Sequence, residues 1–457
     1  MREEVEARPL VLLVIGLIIG LIAVAIPFAL LALAGFLILV RPLRGRLLLA
    51  SAFGFGLILS PAPVRPVFES TPIHGIGTVS SVPKLYQSTQ VFNVQVNGRT
   101  LELSTRESSP AVLGDQIRIS GVENPVGDVA EGYASAMGIE GRIQLDEIEV
   151  VQKGSWVSQL ASSWRGSFID FFDRALPQDS AALVDSVCFN ARTMLDRPTQ
   201  QELKQSGLMH IVTASGLQVF AFGFLVTASL RFFPIPRSIQ LLLLGLILCL
   251  YSIAAGLNPA IVRASIMSIL GLSAFLLKRE PDALSALSLA GIGYLLWDPH
   301  SIFNAGFQLS FITVACVAFF FKKGRVEPEN LKDRVIRVTN EFFRLSMVIL
   351  LSVLPLSAYY FGAVPLLSML SNVLVCWCTP LLVVGAFAAY AVSLLLPAVG
   401  VEVAVHFLAP LAHWMLNVLG WLGGVGSSVS VPPFSGYWLV AIYGTWAFTY
   451  RRRVAQP

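Results

Sequence analysis

The chain has 457 residues, 55% of them hydrophobic and 13% charged, with a formal net charge of +4. A soluble domain carries about 25% charged residues, so this composition excludes a soluble globular protein and points to a polytopic membrane protein. The small net charge says little about a nucleic-acid partner until it is divided by region. The five cysteines (Cys188, Cys249, Cys316, Cys376 and Cys378) lie in or beside apolar runs, which implies no disulfide framework.

Residues 1–64 read as N-terminal transmembrane helices. Leu10 to Val40 is apolar apart from Pro27, long enough for a hairpin of two short helices, and Leu47 to Leu59 is a third candidate span. Arg41, Arg44 and Arg46 mark the intervening loop as cytoplasmic, which places the chain after Ser60 outside. The first apolar run continues into others and lacks a small-residue cleavage site, so no cleaved signal peptide is expected.

Residues 65–155 change to the composition of a soluble β domain. The runs QVFNVQV and RTLELST flank Asn97-Gly98, a two-residue hairpin signal because both turn positions need positive φ. Further strands are expected at Gly75 to Val82, Gln116 to Gly121 and Arg142 to Val151. Five short strands suit a small barrel such as an OB-fold, a fold that often binds single-stranded nucleic acid. The charges oppose a phosphate grip. Seven basic residues face eleven acidic ones, about −4 in all, so the simpler expectation is a solvated structural domain.

In residues 156–206, Trp156, Leu160, Trp164, Phe168, Phe172 and Leu176 recur every four positions, the pattern of an amphipathic helix in the membrane interface. Thr199 and Glu202 form a capping-box pattern after Pro198, and Gly207 is placed to end that short helix. Residues 207–457 form the membrane core, with apolar runs at about 208–230, 238–256, 257–277, 283–297, 301–321, 345–362, 365–396 and 434–450. Basic residues fall at alternate connections, which orients the core with its entry outside and its C-terminus inside. The connection 322–344 carries seven basic and four acidic residues and reads first as a solvated cytoplasmic helix. Residues 401–423 either span or lie on the outer surface with His406, His413 and Asn417 turned to water. The total is ten to twelve spans. The expected fold is therefore a polytopic α-helical membrane protein in the lipid bilayer, with an inserted small extracytoplasmic OB-like β-barrel.

Four polar groups interrupt the apolar core. In GLMHIVTASGLQV, a continuous helix would put His210 and Gln218 on one face, while Ser215-Gly216 marks a place to break or bend it. In GLNPAIVRASIM, Asn258-Pro259 opens a helix and Arg263 follows within its first turns. A buried arginine in an apolar run calls for a phosphate, carboxylate or carbonyl partner, and Asp298 is the nearest candidate carboxylate. In NAGFQLSF, Asn304 and Gln308 are four apart, with Ser310 nearby. Asn372 precedes Cys378 and Pro380. Each amide or histidine can equally be a hydrogen-bond pin between helices. The histidines are scattered with no metal-ligand spacing, Walker and dinucleotide patterns are missing, and a Ser215 dyad with His210 or His413 matches rhomboid proteases in only four residues. No catalytic residue, metal or cofactor is expected.

Together these segments resemble the ComEC competence family, in the form lacking a C-terminal metallo-β-lactamase-like domain. GLMHIVTASGLQV is similar to the family's G-x-x-H-[hydrophobic]-[hydrophobic]-x-x-S-G-L-H-V, matching at Gly207, His210, Ser215, Gly216, Leu217 and Val219. GLNPAIVRASIM, GFQLSF, the EGYASAMGI segment and Asn372 with Pro380 resemble further family elements. Gln218 stands where the family usually has a second histidine. The resemblance implies a channel for single-stranded DNA across the cytoplasmic membrane, served by a separate DNA receptor, nuclease and cytoplasmic ATPase. Its path would be lined by His210, Ser215, Gln218, Asn258, Arg263, Asn304, Gln308 and Asn372. A transporter of a small anion or lipid-related substrate, or a non-catalytic scaffold, fits the same polar pattern.

Overall fold

The computed structural model describes residues 8–23, 43–60, 70–86, 89–106, 111–125, 139–145, 148–191, 195–206, 209–212, 215–278, 280, 282–320, 331–365, 374–424 and 428–432, with short pieces up to 445. Asn372, the EGYASAM segment, residues 322–330 and most of the 434–450 run lie outside the described residues.

Helix α1 (Pro9–Ala23) packs against α2 (Leu43–Ile58). Small residues make this contact: a β-carbon on Gly20 would fall on the Phe53 carbonyl, and one on Gly56 on the Leu17 carbonyl. In lipid, where apolar burial no longer separates protein from solvent, such backbone approach is a main source of helix association. Arg8 at the start of α1 donates to Asp282 at 2.9 Å, fastening the pair to the later core.

The β domain follows as β1 (Thr71–Val79), β2 (Lys84–Tyr86), β3 (Thr89–Val96), β4 (Arg99–Thr105), β5 (Gln116–Asn124), β6 (Ile139–Leu145) and β7 (Glu149–Gln152). Five strands close on themselves in the order β1-β3-β4-β6-β5, with β4 and β6 parallel and the other neighbours antiparallel. Phe92, Val94 and Val96 of β3 and Leu101 and Leu103 of β4 alternate into the barrel and fill it. Asn97 and Gly98 both take positive φ, 50° and 78°, in the β3–β4 turn. The single strand expected over 142–151 is instead two, because β6 pairs with β4 while β7 returns to pair with β5. The first strand starts earlier than the hydrophobic alternation indicates, since Thr71 to His74 continue the β5 ladder.

Helix α3 (Trp156–Ala175) is joined to the barrel through Asp115, which is buried. One of its carboxylate oxygens accepts from Gly154 N (2.6 Å) and Gln159 Nε2 (2.7 Å), and the other from Val112 N (2.8 Å). A residue recurring every four positions drifts about 40° per step on a 3.6-residue helix. The predicted stripe therefore winds round α3: Phe168 and Phe172 are fully buried, while Trp156 and Leu160 emerge exposed beside the barrel.

Helix α4 (Gln178–Phe189) is buried almost along its whole length. In α5 (Arg197–Gln205) the cap is Asp196, whose carboxylate accepts from Thr199 N at 3.1 Å; the expected Thr199–Glu202 box is not used. Pro198, which has no N–H to give, is tolerated inside the first turn. Glu202 packs instead on Gly423 near the end of the 409–424 helix.

The core then runs α6 (Met209–Val212), α7 (Gly216–Leu230), α8 (Arg237–Ala254), α9 (Pro259–Leu276), α10 (Ala283–Trp297), a 3-10 turn (Pro299–Phe303), α11 (Ala305–Phe320) and α12 (Leu331–Phe361). After them come β8 (Ala363–Pro365), α13 (Cys378–Ser393), α14 (Pro397–Val403), a π turn (Ala404–Leu408), α15 (Ala409–Gly424) and β9 (Ser428–Ser430), which pairs with β8. An aromatic cluster of Trp164, Phe189, Phe222, Tyr251 and Phe387 binds α3, α4, α7, α8 and α13 into one core. Among the described residues, four helical stretches are long and apolar enough to cross a membrane: 237–254, 259–276, 336–361 and 397–423; six further apolar helices are shorter. On α8, Leu244, Leu248 and Tyr251 face the core, whereas Ile239, Leu242 and Leu246 are exposed, as expected of a lipid-facing surface.

Two connections differ from the sequence expectation. The polar stretch after residue 330 and the apolar run 345–362 are one continuous helix, α12, despite Pro355. Residues 397–424 form a single helical rod whose buried face (Ala404, Leu408, Ala412, Met415, Leu419) lies opposite exposed Glu402, His406, His413 and Asn417.

Candidate functional site

The GLMHIVTASGLQV stretch is a broken helix. Ser215 is extended, with φ −113° and ψ 156°, separating α6 from α7. Gln218 bridges the break: its side-chain oxygen accepts from Ser215 N at 2.7 Å, and its amide nitrogen donates to the Ile211 carbonyl. The side chain is 1% exposed. A helix interruption inside a core leaves backbone groups that must find partners, and this one glutamine satisfies one on each side. His210 lies on α6, on the far side of the break, so the shared face expected of a continuous helix is not formed.

The other amides also work as helix caps or pins. Asn258 accepts from Ala260 N at 3.1 Å, with Pro259 at the first helical position of α9, an arrangement that its fixed φ favours. Asn304 accepts from Gly306 N at 2.7 Å and opens α11. Gln308 donates to the Ile302 carbonyl (2.9 Å) and accepts from the Tyr360 hydroxyl (3.0 Å), tying α11 to α12.

Arg263 is different. It is 6% exposed in the middle of these caps. Its Nε donates to Ser310 Oγ at 2.7 Å, its Nη1 approaches Met267 Sδ at 3.4 Å, and its guanidinium carbon lies 5.9 Å from the Phe311 ring centre. Nη2 faces the first residue of α7: a β-carbon on Gly216 would stand 3.3 Å from it. Among the described residues no carboxylate lies within ion-pair distance. Asp298, the carboxylate expected to pair with it, instead caps the 3-10 turn, accepting from His300 N (3.1 Å) and Ser301 Oγ (2.5 Å). The structure thus brings Ser215, Gln218, Arg263 and Ser310 together, with Gln308 on the same helix as Ser310 and Asn258 and Asn304 at the starts of the helices that carry them. Met267 and Phe311 close the GLNPAIVRASIM and GFQLSF motifs but are not legible there as partners of Arg263, and Tyr360 reads as an ordinary core residue in its apolar run.

The arrangement combines a desolvated guanidinium with the start of a fifteen-residue helix, where the backbone N–H groups and the macrodipole favour negative charge. It can hold an anionic oxygen without a metal. Among the described residues no three histidine, cysteine, aspartate or glutamate side chains cluster in metal-binding fashion.

The barrel offers the opposite. Arg99 forms bonds to Glu123 (2.6 Å) and Glu140 (2.8 Å), Arg118 to Glu149 (2.6 Å) and Arg142 to Glu102 (2.8 Å). These three arginines are already matched by carboxylates, and the Arg99 guanidinium is held above its ordinary value by its bond to Glu140, with Glu123 adding to it. The barrel does reach the core, since Val82 in the β1–β2 loop packs on Gly256 at the α8–α9 corner.

Long apolar helices built around a buried arginine at a helix break define a membrane protein with an internal polar site. The family described as "Competence protein" matches residues 187–454, and the chain belongs to it. ComE operon protein 3 of Bacillus subtilis (strain 168) is 29% identical over 216 residues, which cover 46% of this chain and 26% of that protein. The chain thus matches about a quarter of the length of that relative. No solved structure matches.

Proposed function

We propose that this protein is the membrane path by which single-stranded DNA crosses the cytoplasmic membrane in natural transformation. The reading rests on family membership and on one observation: Arg263 is buried, has no carboxylate partner among the described residues, and faces the start of α7. A DNA path must replace phosphate hydration with a few positive or donor groups, and one guanidinium beside a helix start is such a station. Ser215 and Gln218 hold the break open; Asn258, Asn304 and Gln308 hold the surrounding helix starts. His210 and Asn372 join the path by family resemblance.

In this reading the barrel is OB-like, which its strand order with one parallel pair supports, and stands outside the membrane. Its paired arginines favour a platform at the entrance over a phosphate grip. The C-terminus is inside, and a separate receptor, nuclease and ATPase supply capture, strand removal and force.

The test is uptake of labelled DNA in a deletion strain complemented with Arg263→Gln. A loss of at least tenfold at equal membrane abundance is expected, the scale of one charge-assisted contact. Normal uptake would remove the charge assignment. Liposome flux of a short DNA strand against small anions separates DNA passage from small-anion transport.

A further inference from the structure

Helix α4, which carries Phe189 of the aromatic cluster, also holds a buried ionisable group that the DNA reading does not use. Asp185, on α4, is 0% exposed, and neither carboxylate oxygen has a hydrogen-bond partner among the described residues. A buried ionised carboxylate with no donor is far more costly than a neutral one. The neutral acid is therefore the form that this geometry accommodates.

The charges that bear on it come from α3. Arg165 opposes the burial cost and Asp173 adds to it. Among the described side chains, the other packed elements bring no further charge to bear. Tyr251 of α8 spends its hydroxyl on the Cys188 carbonyl (2.6 Å), Tyr390 of α13 bonds Ser167 (2.9 Å), His413 of α15 is exposed, and α6 carries His210.

Arg165 is half-buried and makes no ion pair with Asp185. Its Nη1 instead donates to the Ala254 carbonyl, the last residue of α8, over a long 3.4 Å. That carbonyl begins the tight corner in which Gly256 and Leu257 both take positive φ, 96° and 50°, before Asn258 opens α9. Leu257 pays for this conformation in strain that the surrounding contacts must hold, among them Tyr294 Oη donating to its carbonyl at 3.1 Å. Arg165 thus lies between two acceptors: a neutral carbonyl that it now caps weakly, and a carboxyl that attracts it only when ionised.

We propose that Asp185 is a proton-binding site that controls the α8–α9 corner: loss of its proton to solvent draws Arg165 from the Ala254 carbonyl into an ion pair with Asp185 and loosens the corner leading to Asn258 and Arg263. The step moves one proton and no electrons. Protonation closes the corner and ionisation relaxes it, whatever species crosses the core.

The full-length protein in lipid nanodiscs provides the test. Infrared difference spectra between mildly acidic and alkaline buffer, with carbon-13-labelled aspartate, should show a protonated-carboxyl band that disappears on alkalinisation and is missing in Asp185→Asn. Amide exchange of residues 252–262, corrected for the intrinsic effect of pH, should rise several-fold over the same interval in the wild type and stay flat in Asp185→Asn. The proposal is overturned if no pH-dependent band belongs to Asp185, or if exchange rises equally in the variant. Should Asp185→Asn not fold, Arg165→Gln decides: fast, pH-independent exchange at 252–262 supports the switch, and an unchanged pH-dependent rise defeats it.

Discussion

Arg263 turns its Nη2 toward Gly216, leaving 3.3 Å to the position that a β-carbon would occupy there. Because Nε is already tied to Ser310, the guanidinium cannot retreat freely. Gly216→Val should therefore push the charge away from the start of α7. Uptake of labelled DNA is expected to fall by about tenfold to a hundredfold, matching the roughly 1.5–3 kcal/mol of one hydrogen bond to a charged group. Gly216→Ala, which needs only a small shift of the side chain, should be milder; equal and normal uptake in both would separate the helix start from the path.

Gln218 makes one acceptor and one donor contact across the break. Gln218→Glu keeps the acceptor for Ser215 N and, in the neutral form that burial favours, can still donate to the Ile211 carbonyl. Gln218→Leu loses both contacts and should be the less stable by about 1–3 kcal/mol for the buried groups left unsatisfied. Thermal unfolding in detergent, followed by the fluorescence of the buried aromatic cluster, measures the order wild type, Glu, Leu.

Asp115 receives three bonds that fix the barrel to the start of α3. Asp115→Ala should leave the barrel folded, since its core residues are elsewhere, yet free the 153–156 joint. Limited proteolysis is expected to cut there several times faster than in the wild type. An unchanged cutting rate means that the Gly114–Gly154 backbone contact alone holds the joint.

Burial, reinforced by Asp173, pushes Asp185 from 3.8 up to about 8. Between these values the folded chain keeps a proton that the unfolded chain has released, so stability increases as pH falls through that window and is lost as pH rises. The slope is at most about 1.4 kcal/mol per pH unit. Thermal midpoints across the window should therefore change less with pH in Asp185→Asn than in the wild type. Parallel profiles would show that Asp185 does not titrate there.

Gly20 and Gly56 let α1 and α2 meet backbone to backbone. Gly20→Leu should separate the two helices. Disulfide trapping between cysteines introduced along their contact should succeed in the wild-type background and fail with Gly20→Leu, while the aromatic core from Trp164 to Phe387 remains intact.

Much of this protein could be read from residue order alone. The runs QVFNVQV and RTLELST marked two strands, Asn97-Gly98 made the hairpin between them, Asn258-Pro259 opened a helix, and the cost of a charge in an apolar run singled out Arg263. All of these are local: each depends on spacing within a few residues or on the solvation of a single group. What Arg263 pairs with was not local. Asp298 is the carboxylate expected from chain position, but its oxygens are taken by His300 N and Ser301 Oγ, and Ser310, Met267 and Phe311 meet the guanidinium from other turns and another helix. Gln218 shows a nearer limit: its two partners lie three and seven residues away but meet it only where the helix breaks, and Asp185 is a single acid in AALVDSVCF whose missing partners only packing reveals. Sequence determines which groups are costly to bury; tertiary structure decides which of them are satisfied, because hydrogen bonds and ion pairs act over a few ångströms and depend on where helices break and how they pack.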